Sequence, residues 1–451
     1  MFSKVLIANR GEIAVRIMRT CKELGIKTVA VYSEVDSKSS HVQMANESVC
    51  IGKDRVSETY LNSQRIIEAA KDTGATAIHP GYGYLAEEGK FAEECEKNGL
   101  VFIGPKPQIL HLAGDKLTAK SIAQRAGVPT ILGANESISS IENAISVSED
   151  MGYPVIIKAS GGGGGRGMRI CNKQEELLSE FPIAKAEAQA AFGNDKLYIE
   201  KYVVSPRHIE FQILCDKFGN AVHLGERECT IQRRYQKLIE ESPSPVVDDE
   251  LRRKMGDAAI LVAKSVDYLN AGTIEFLVDN ERNFYFMEIN ARIQVEHPVT
   301  EIVSGCDIVK EQLKIATGEK IALNYNLDQR ISAIECRINA EDPESNFLPC
   351  PGTVEIYRPP GGYGVRLDTH IYQGYEVPPF YDSLIAKLVA YGPDRVSAIE
   401  TMKRALSEFT ISPVKTTIPL YQRVMSDPDF VKGEFDTDFI KRFLPEEETE
   451  D

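Results

Sequence analysis

The run Glu288-Ile289-Asn290-Ala291-Arg292-Ile293-Gln294-Val295-Glu296 alternates polar and apolar residues without a break. Glu288, Asn290, Arg292, Gln294 and Glu296 fall on one side of an extended chain, and Ile289, Ala291, Ile293 and Val295 on the other. An ordinary solvated strand carries lysine, threonine and serine on its wet face. This one carries carboxylates, amides and a guanidinium, a set suited to a cation and a small anion. Upstream, Thr273-Ile274-Glu275-Phe276-Leu277-Val278 and Phe284-Tyr285-Phe286-Met287-Glu288 read as two strands around the turn Asn280-Glu281-Arg282-Asn283. With the turn centred between Glu281 and Arg282, Glu275 stands directly across from Glu288. Facing like charges destabilise a strand pair, so these carboxylates require a cation between them. Mg²⁺ (or Mn²⁺ in its place) suits the position, being a hard ion that takes one or two carboxylates and completes its shell with water and nucleotide phosphate.

The bulk composition narrows the class. At 451 residues the chain exceeds one ordinary core, and two or three domains are expected. Hydrophobic residues at 43% and charged residues at 26% are those of a soluble globular protein. A net charge of −15 argues against nucleic acid or an anionic membrane as the main partner. No apolar run is long enough to span a bilayer, and residues 1–8 enter a strand at once, without the layout of a signal peptide. Nine cysteines with no CxxC pair, and seven histidines without metal spacing, point to reduced thiols and a cytoplasmic enzyme. Cys229, beside Arg227, reads as a buried structural thiol.

Along the chain, residues 4–113 repeat strand, loop and helix, the pattern of a small doubly wound α/β unit. Its first turn, Asn9-Arg10-Gly11-Glu12, lacks the GxGxxG of a dinucleotide site. The prominent crevice loop is His79-Pro80-Gly81-Tyr82-Gly83-Tyr84. A second unit spans about 115–326, with a smaller subdomain at about 132–202. A third runs from 331 to about 443, with short strands at 354–357, 364–367 and 384–391 and a helix at 396–409. Residues 445–451 form an acidic tail expected to fray.

Five further places carry chemistry. Val155-Ile156-Ile157-Lys158-Ala159 is a strand ending in lysine, followed by five glycines at 161–165 and a second strand at 168–170. Glycines joining two strands of one hairpin let backbone N–H groups close on an oxygen-rich ligand. The run is not the GxxxxGK[ST] of a P-loop. Glu200-Lys201 ends a strand whose edge suits an adenine ring, and Arg207-His208-Ile209-Glu210-Phe211-Gln212-Ile213 alternates again. The stretch 226–237 packs Arg227, Arg233, Arg234 and Lys237 together, interleaved with Gln232 and Gln236, an arrangement able to hold an anion. Lys116, opening a helix after Gly114-Asp115, is a further phosphate candidate.

Taken in order, Lys4-Val5-Leu6-Ile7-Ala8-Asn9-Arg10-Gly11-Glu12-Ile13-Ala14, the glycine run through Met168, and the stretch from Glu288 to Pro298 resemble biotin carboxylase over essentially the full length. Glu335-Cys336-Arg337-Ile338-Asn339-Ala340-Glu341 and Tyr381-Asp382-Ser383 extend the resemblance. It implies an ATP-grasp fold of mixed α/β and α+β class. Residues 1–114 would be a Rossmann-like pre-ATP-grasp domain, 115–330 the ATP-grasp domain with a lid at about 132–202, 331–445 a C-terminal biotin carboxylase domain, and 446–451 a tail. By the same resemblance Lys116, Lys158, His208 and Gln232 meet ATP. The lid glycines, Gly163, Gly164 and Gly165 among them, close on the triphosphate, and Glu200 and Lys201 line the adenine. Glu275, Glu288 and Asn290 hold metal. Lys237, Arg292, Gln294 and Val295 bind bicarbonate, Glu296 is the base, and Arg337, with Tyr82 and Gly83, faces biotin. Tyr235 stands where many relatives have histidine.

The resemblance further implies that ATP and bicarbonate form carboxyphosphate, which carboxylates biotin on a separate carrier. No Met-Lys-Met tripeptide occurs, so the carrier protein and the carboxyltransferase are expected as partners. A homodimer is implied, built around Arg16, Arg19 and the third domain. Another ATP-grasp ligase, such as a carbamoyl phosphate synthetase fragment or D-alanine–D-alanine ligase, fits the hairpin and lid, but the Arg292–Glu296 spacing and the third domain match biotin carboxylase better. A nucleotide-binding regulatory relative would have a broken catalytic set.

Overall fold

The structure, a computed structural model, describes residues 1–133, 137–138, 140–159, 168–322 and 331–444. The tail at 446–451 and the glycine run at 161–165, with Gly163, Gly164 and Gly165, lie outside these residues.

The first sheet has the order Glu47–Gly52, Lys27–Ser33, Lys4–Ile7, Ala77–His79, Val101–Phe102, with every pairing parallel. The central strand is wholly apolar and fully buried at Val5, Leu6 and Ile7, as a strand covered on both faces must be. The edge strand Glu47–Gly52 carries mostly exposed residues, and for that reason left no buried pattern in the sequence. Chain order reverses between Lys4–Ile7 and Ala77–His79, so the loops after these two strands open a crevice. Asn9 joins them, donating through Nδ2 to the carbonyls of Pro80 and Tyr82, each at 2.7 Å. Gly81 has φ +64°, and a Cβ there would lie 3.0 Å from Asn9 Nδ2. A side chain at 81 would therefore push away the amide that shapes the loop.

The second sheet runs Phe284–Asn290, Asn270–Val278, Arg207–Cys215, Ala221–Arg233, Gln236–Ser242, Ser332–Asn339, Leu384–Gly392, Val365–Thr369. It crosses from the middle third of the chain into the last third through the pairing of Gln236–Ser242 with Ser332–Asn339. Ile209, Phe211, Ile213, Ile274 and Phe276 pack against the helix Asp249–Ser265 through Leu251, Met255, Ala259 and Val262. Alternation therefore turns His208, Glu210 and Gln212 to the opposite face.

The hairpin pairs Glu275 with Glu288, as the sequence predicts, but by a different route. Val278 faces Phe284 and Phe276 faces Phe286, which centres the turn on Glu281, and Arg282 takes φ +66°. That register alone would set Glu275 against Met287. A bulge at Met287 inserts one residue and restores Glu288 to the place opposite Glu275.

The expected extension of this strand to Glu296 does not hold. The strand ends at Asn290, and residues 291–296 form an irregular turn leading into the helix His297–Ser304. Ala291 and Ile293 remain buried, but Val295 is half-buried and off the apolar wall. Glu296 takes the N-cap position of the helix.

A third sheet, Arg169–Cys171, Val155–Ala159, Leu197–Lys201, packs with the helices Ile141–Met151 and Gln174–Phe192 around its own core of Val155, Ile157, Leu177, Phe181, Leu197 and Ile199. Val155–Ala159 and Arg169–Cys171, which flank the glycine run in the sequence, are antiparallel neighbours. In the last third, Ile356–Arg358 pairs with Thr410–Ser412, and the helix Arg395–Glu408 is capped by Asp394. Among the described residues no helix is long and apolar enough to cross a membrane.

Candidate active site

The polar face of the second sheet converges on Lys237. Its Nζ lies 2.6 Å from Glu210, 3.1 Å from Glu275 and 2.6 Å from Glu296. Burial disfavours the ammonium, but Cys229 and these three carboxylates outweigh it and hold Lys237 well above the usual lysine range. Glu210 also accepts from Arg227 Nε at 2.5 Å, and the fully buried Arg227 goes on to Gln212, Thr273 and Thr300. The cationic run of the sequence therefore divides. Arg227 braces Glu210, Arg233 leaves to hold Asn346 and lie 4.2 Å from the Phe347 ring, and Lys237 faces Glu275 and Glu296.

Glu275 is held from several sides: by Lys237, by His208 Nε2 at 3.0 Å, by Asn290 Nδ2 at 2.8 Å and by Gln294 Nε2 at 3.2 Å. Gln232 donates to the other ring nitrogen of His208 at 2.7 Å, which places the His208 proton on Nε2. Burial alone would raise Glu275; Lys237 and His208 overcome it and take the carboxyl down to about 2. Glu288 follows the same logic with Lys116, 2.8 Å away, and also falls to about 2. Lys116 is the first residue of the helix Lys116–Arg125, capped by Asp115.

Arg292 lies beside this pair. It donates to Gln294 at 2.5 Å, to Asn290 at 3.2 Å and to Glu87, on the first unit, at 3.1 Å. Glu296, with no exposed surface, is gripped by Lys237 and by Arg337 Nη2 at 2.9 Å. Burial pushes the Glu296 carboxyl up, but Lys237 first, and then Arg337 and Arg227, bring it below the usual carboxylate range. Arg337 also donates to Glu240 at 2.6 Å. Glu240, on the strand next door, is pushed up to about 7 by burial and by nearby Glu296, against the pull of Arg337.

On the far side of the site Lys158 and Lys120 each hold one oxygen of Glu200, at 2.7 and 2.6 Å. Lys201 turns its ammonium to the carbonyls of Gly152 and Tyr153, and its backbone N–H to Leu132. Its side chain thus belongs to the smaller subdomain's frame. Tyr82, in the crevice loop, donates to Glu12, and Gly83 follows at φ +66°.

Three family models match successive parts of the chain. They are the biotin carboxylase N-terminal domain at residues 1–110, the carbamoyl-phosphate synthase L chain ATP-binding domain at 115–324, and the biotin carboxylase C-terminal domain at 335–442. A biotin carboxylase of Nostoc sp. is 54% identical over 98% of this chain and 99% of its own length. The chain belongs to the biotin carboxylase family. Biotin carboxylase 1 of Bacillus subtilis is 53% identical over 98% of this chain and 99% of its own. The biotin carboxylase domain of Hydrogenobacter thermophilus 2-oxoglutarate carboxylase, solved as a dimer with MgADP, ADP and bicarbonate, matches with TM-score 0.95 at 50% identity, covering 98% of each chain. The fold is therefore the ATP-grasp arrangement of biotin carboxylases.

The donor set fits a hard divalent cation. Two carboxylates face each other in one cross-strand pair, their charge is balanced by Lys116 and Lys237 reaching in from neighbouring elements, and His208 donates to Glu275. Tyr235 is 49% exposed in a turn at φ +64°. Cys229, 3.9 Å from Glu296, is fully buried and its thiol is pushed well up by burial, so it is unreactive.

The sequence gave no role to Glu210, Glu240 or Glu87, and it read Arg227 as part of an anion-holding run where the structure has it bracing Glu210. Glu210 was visible as the polar residue between Ile209 and Phe211; Glu240 and Glu87 gave no local signal.

The depressed carboxylates set an acid limit on stability. Glu275 and Glu288 drop from 4.5 to about 2, so the stability they contribute is complete above pH 4.5 and is lost as pH falls toward 2. Glu240 has the opposite sign: raised from 4.5 to about 7, its contribution is complete below pH 4.5 and disappears as pH rises to 7. The thermal midpoint of the substrate-free protein should fall as pH drops below about 4.5, and Glu288→Gln should flatten that fall. Identical slopes in the two proteins would refute the assignment.

Proposed function

We propose that this chain carboxylates biotin on a separate carrier protein at the expense of ATP and bicarbonate. The observation that carries the reading is Glu296 fixed between Lys237 and Arg337, with Lys237 also reaching Glu275 of the Glu275–Glu288 pair.

Bicarbonate, an anion, is held by Arg292 and Lys237, with Gln294 and the Val295 backbone beside it. A carboxylate stabilised as strongly as Glu296 is a weak base. Bicarbonate binding draws Lys237 toward the substrate and returns basicity to Glu296, which removes the bicarbonate proton as its oxygen attacks the γ-phosphate. The products of that step are carboxyphosphate and ADP. Lys116, Lys158, His208 and Gln232 position the triphosphate, with Glu200 and Lys201 toward the adenine and the glycine run as a closing lid. Glu275, Glu288 and Asn290 would hold magnesium, which when bound would neutralise charge on the phosphate oxygens. Carboxyphosphate then breaks into CO₂ and phosphate. The phosphate takes the proton of biotin N1′, Arg337 stabilises the ureido enolate, and the enolate nitrogen captures CO₂ beside Tyr82 and Gly83. A closed site matters because carboxyphosphate hydrolyses in water.

The partners are a biotin carboxyl carrier protein and a carboxyltransferase subunit, and the protein works as a cytoplasmic homodimer. The domain limits given above (1–114, 115–330 and 331–445) are part of the same reading. The test is steady-state ATP hydrolysis with Mg²⁺, with and without bicarbonate and free biotin. Turnover that needs bicarbonate and rises with biotin supports the function. ATP binding without bicarbonate-dependent turnover removes it.

A further inference from the structure

Lys387 lies at the middle of the strand Leu384–Gly392, flanked by Ile385, Ala386, Leu388 and Val389, and none of its side chain is exposed. Burying an ammonium is costly unless every donor is used well, and an apolar residue usually serves packing as well or better. Its partners come from two other parts of the chain. Nζ lies 3.0 Å from Glu12 Oε1, on the first turn of the helix Gly11–Glu23, and 2.8 Å from the carbonyl of Val295. The same Glu12 oxygen accepts the Tyr82 hydroxyl, and Lys387 Nζ sits 5.8 Å from the Tyr82 ring centroid. Glu12 Oε2 has no hydrogen-bond partner among the described residues, so Lys387 and Tyr82 share the one oxygen that is engaged. The Val295 carbonyl belongs to the peptide that leads directly into Glu296. On the adjacent strand Arg337 stands opposite Lys387 and grips the Glu296 carboxylate itself.

We propose that Lys387 is a positioning residue that ties the biotin side of the site to the bicarbonate side, fixing Tyr82 through Glu12 and the Glu296 backbone through the Val295 carbonyl. The proposal rests on the biotin-carboxylating reading given above. It assigns no contact with substrate to Lys387 or Glu12. Arg337 orients the head of Glu296 and Lys387 its root, while Glu12 lets the biotin-facing loop feel the same ammonium. Movement of Tyr82 when biotin arrives is thereby passed to the peptide that sets the base.

Lys387→Met, Lys387→Arg and Glu12→Gln test this by two readouts. One is bicarbonate-dependent ATP hydrolysis with and without free biotin; the other is amide hydrogen exchange of segments 80–84 and 291–297 in the substrate-free protein. Lys387→Met should lower kcat/KM for bicarbonate by about 100-fold, the scale of a misplaced catalytic group, and speed exchange in both segments. Lys387→Arg, which keeps the charge and a donor, should recover about tenfold of that loss. Glu12→Gln should speed exchange at 80–84 alone and reduce the biotin-stimulated rate more than the bicarbonate-only rate. Wild-type turnover tests the function; the exchange differences test the positioning role even if that turnover is absent. Unchanged exchange in both segments in Lys387→Met overturns the proposal, as does loosening spread evenly over the chain. Should Lys387→Met fail to fold, unchanged exchange at 80–84 in Glu12→Gln overturns it.

Discussion

Glu296→Gln should lower bicarbonate-dependent ATP turnover by about 100- to 10,000-fold, the range of a lost general base, while nucleotide binding persists. Glu296 has one oxygen on Lys237 at 2.6 Å and the other on Arg337 at 2.9 Å. Glutamine preserves the shape and removes the charge. Its amide hydrogens must then face one of two cations, so Lys237 swings toward Glu210 and Glu275, which are already within reach. The nucleotide-side groups Lys116, Lys158 and Glu200 do not touch Glu296 and keep their partners. Steady-state hydrolysis, paired with calorimetric binding of ATP, reads the two effects apart. A variant within tenfold of wild type would remove Glu296 from the role of base.

Arg337→Ala should cost more in biotin carboxylation than in bicarbonate-dependent ATP hydrolysis. Removing a donor aimed at a developing oxyanion lowers a rate by about 100- to 1,000-fold, and only the biotin step develops charge on the ureido oxygen. The ATP-cleaving step loses less because Lys237 still holds Glu296. Stability carries a second mark of the same substitution. Without Arg337, Glu240 loses the partner that opposes its burial, so its carboxyl rises above its present value of about 7 and stays protonated. Carboxybiotin formation and phosphate release measured on one sample decide the matter; equal losses in both would sink the assignment.

The sequence made the site legible where neighbours on one strand carry it, and obscure where partners come from distant strands. Glu275 and Glu288 were readable because period-two alternation fixes which residues share a face, although the pairing depends on a bulge at Met287 that no local pattern announces. The stretch 291–296 reads as strand because it alternates, yet the backbone turns there to start a helix, and tertiary contacts such as Lys387 with the Val295 carbonyl hold it. The glycine run signalled a loop between strands through composition alone. Arg227 was read with its charged neighbours as a possible anion holder, since nothing in the sequence shows Glu210 across the ladder. Lys387 did leave a trace: a single charge inside Leu384-Ile385-Ala386-Lys387-Leu388-Val389-Ala390. Such a residue in an apolar strand needs a partner, and the partner could not be named because it lies at position 12.

The eight strands from Phe284–Asn290 to Val365–Thr369 form one sheet, bulges included. Glu275, Glu210, Lys237, Glu240, Arg337 and Lys387 are rungs of one plate, so the spacing among these carboxylates and cations is set by hydrogen-bonded strands and not by the posture of separate bodies; Glu296, outside the sheet, is tied to it through Lys237 and Arg337. Cutting the chain near residue 330 would not release a module. It would bare the edge of Gln236–Ser242, with its row of unpaired amides and carbonyls, and such an edge invites self-association. The unit built on Val155–Ala159 and Leu197–Lys201 stands apart from that plate around a core of its own, and a polar tie, Lys120 to Glu200 at 2.6 Å, joins it to the helix whose first residue, Lys116, holds Glu288.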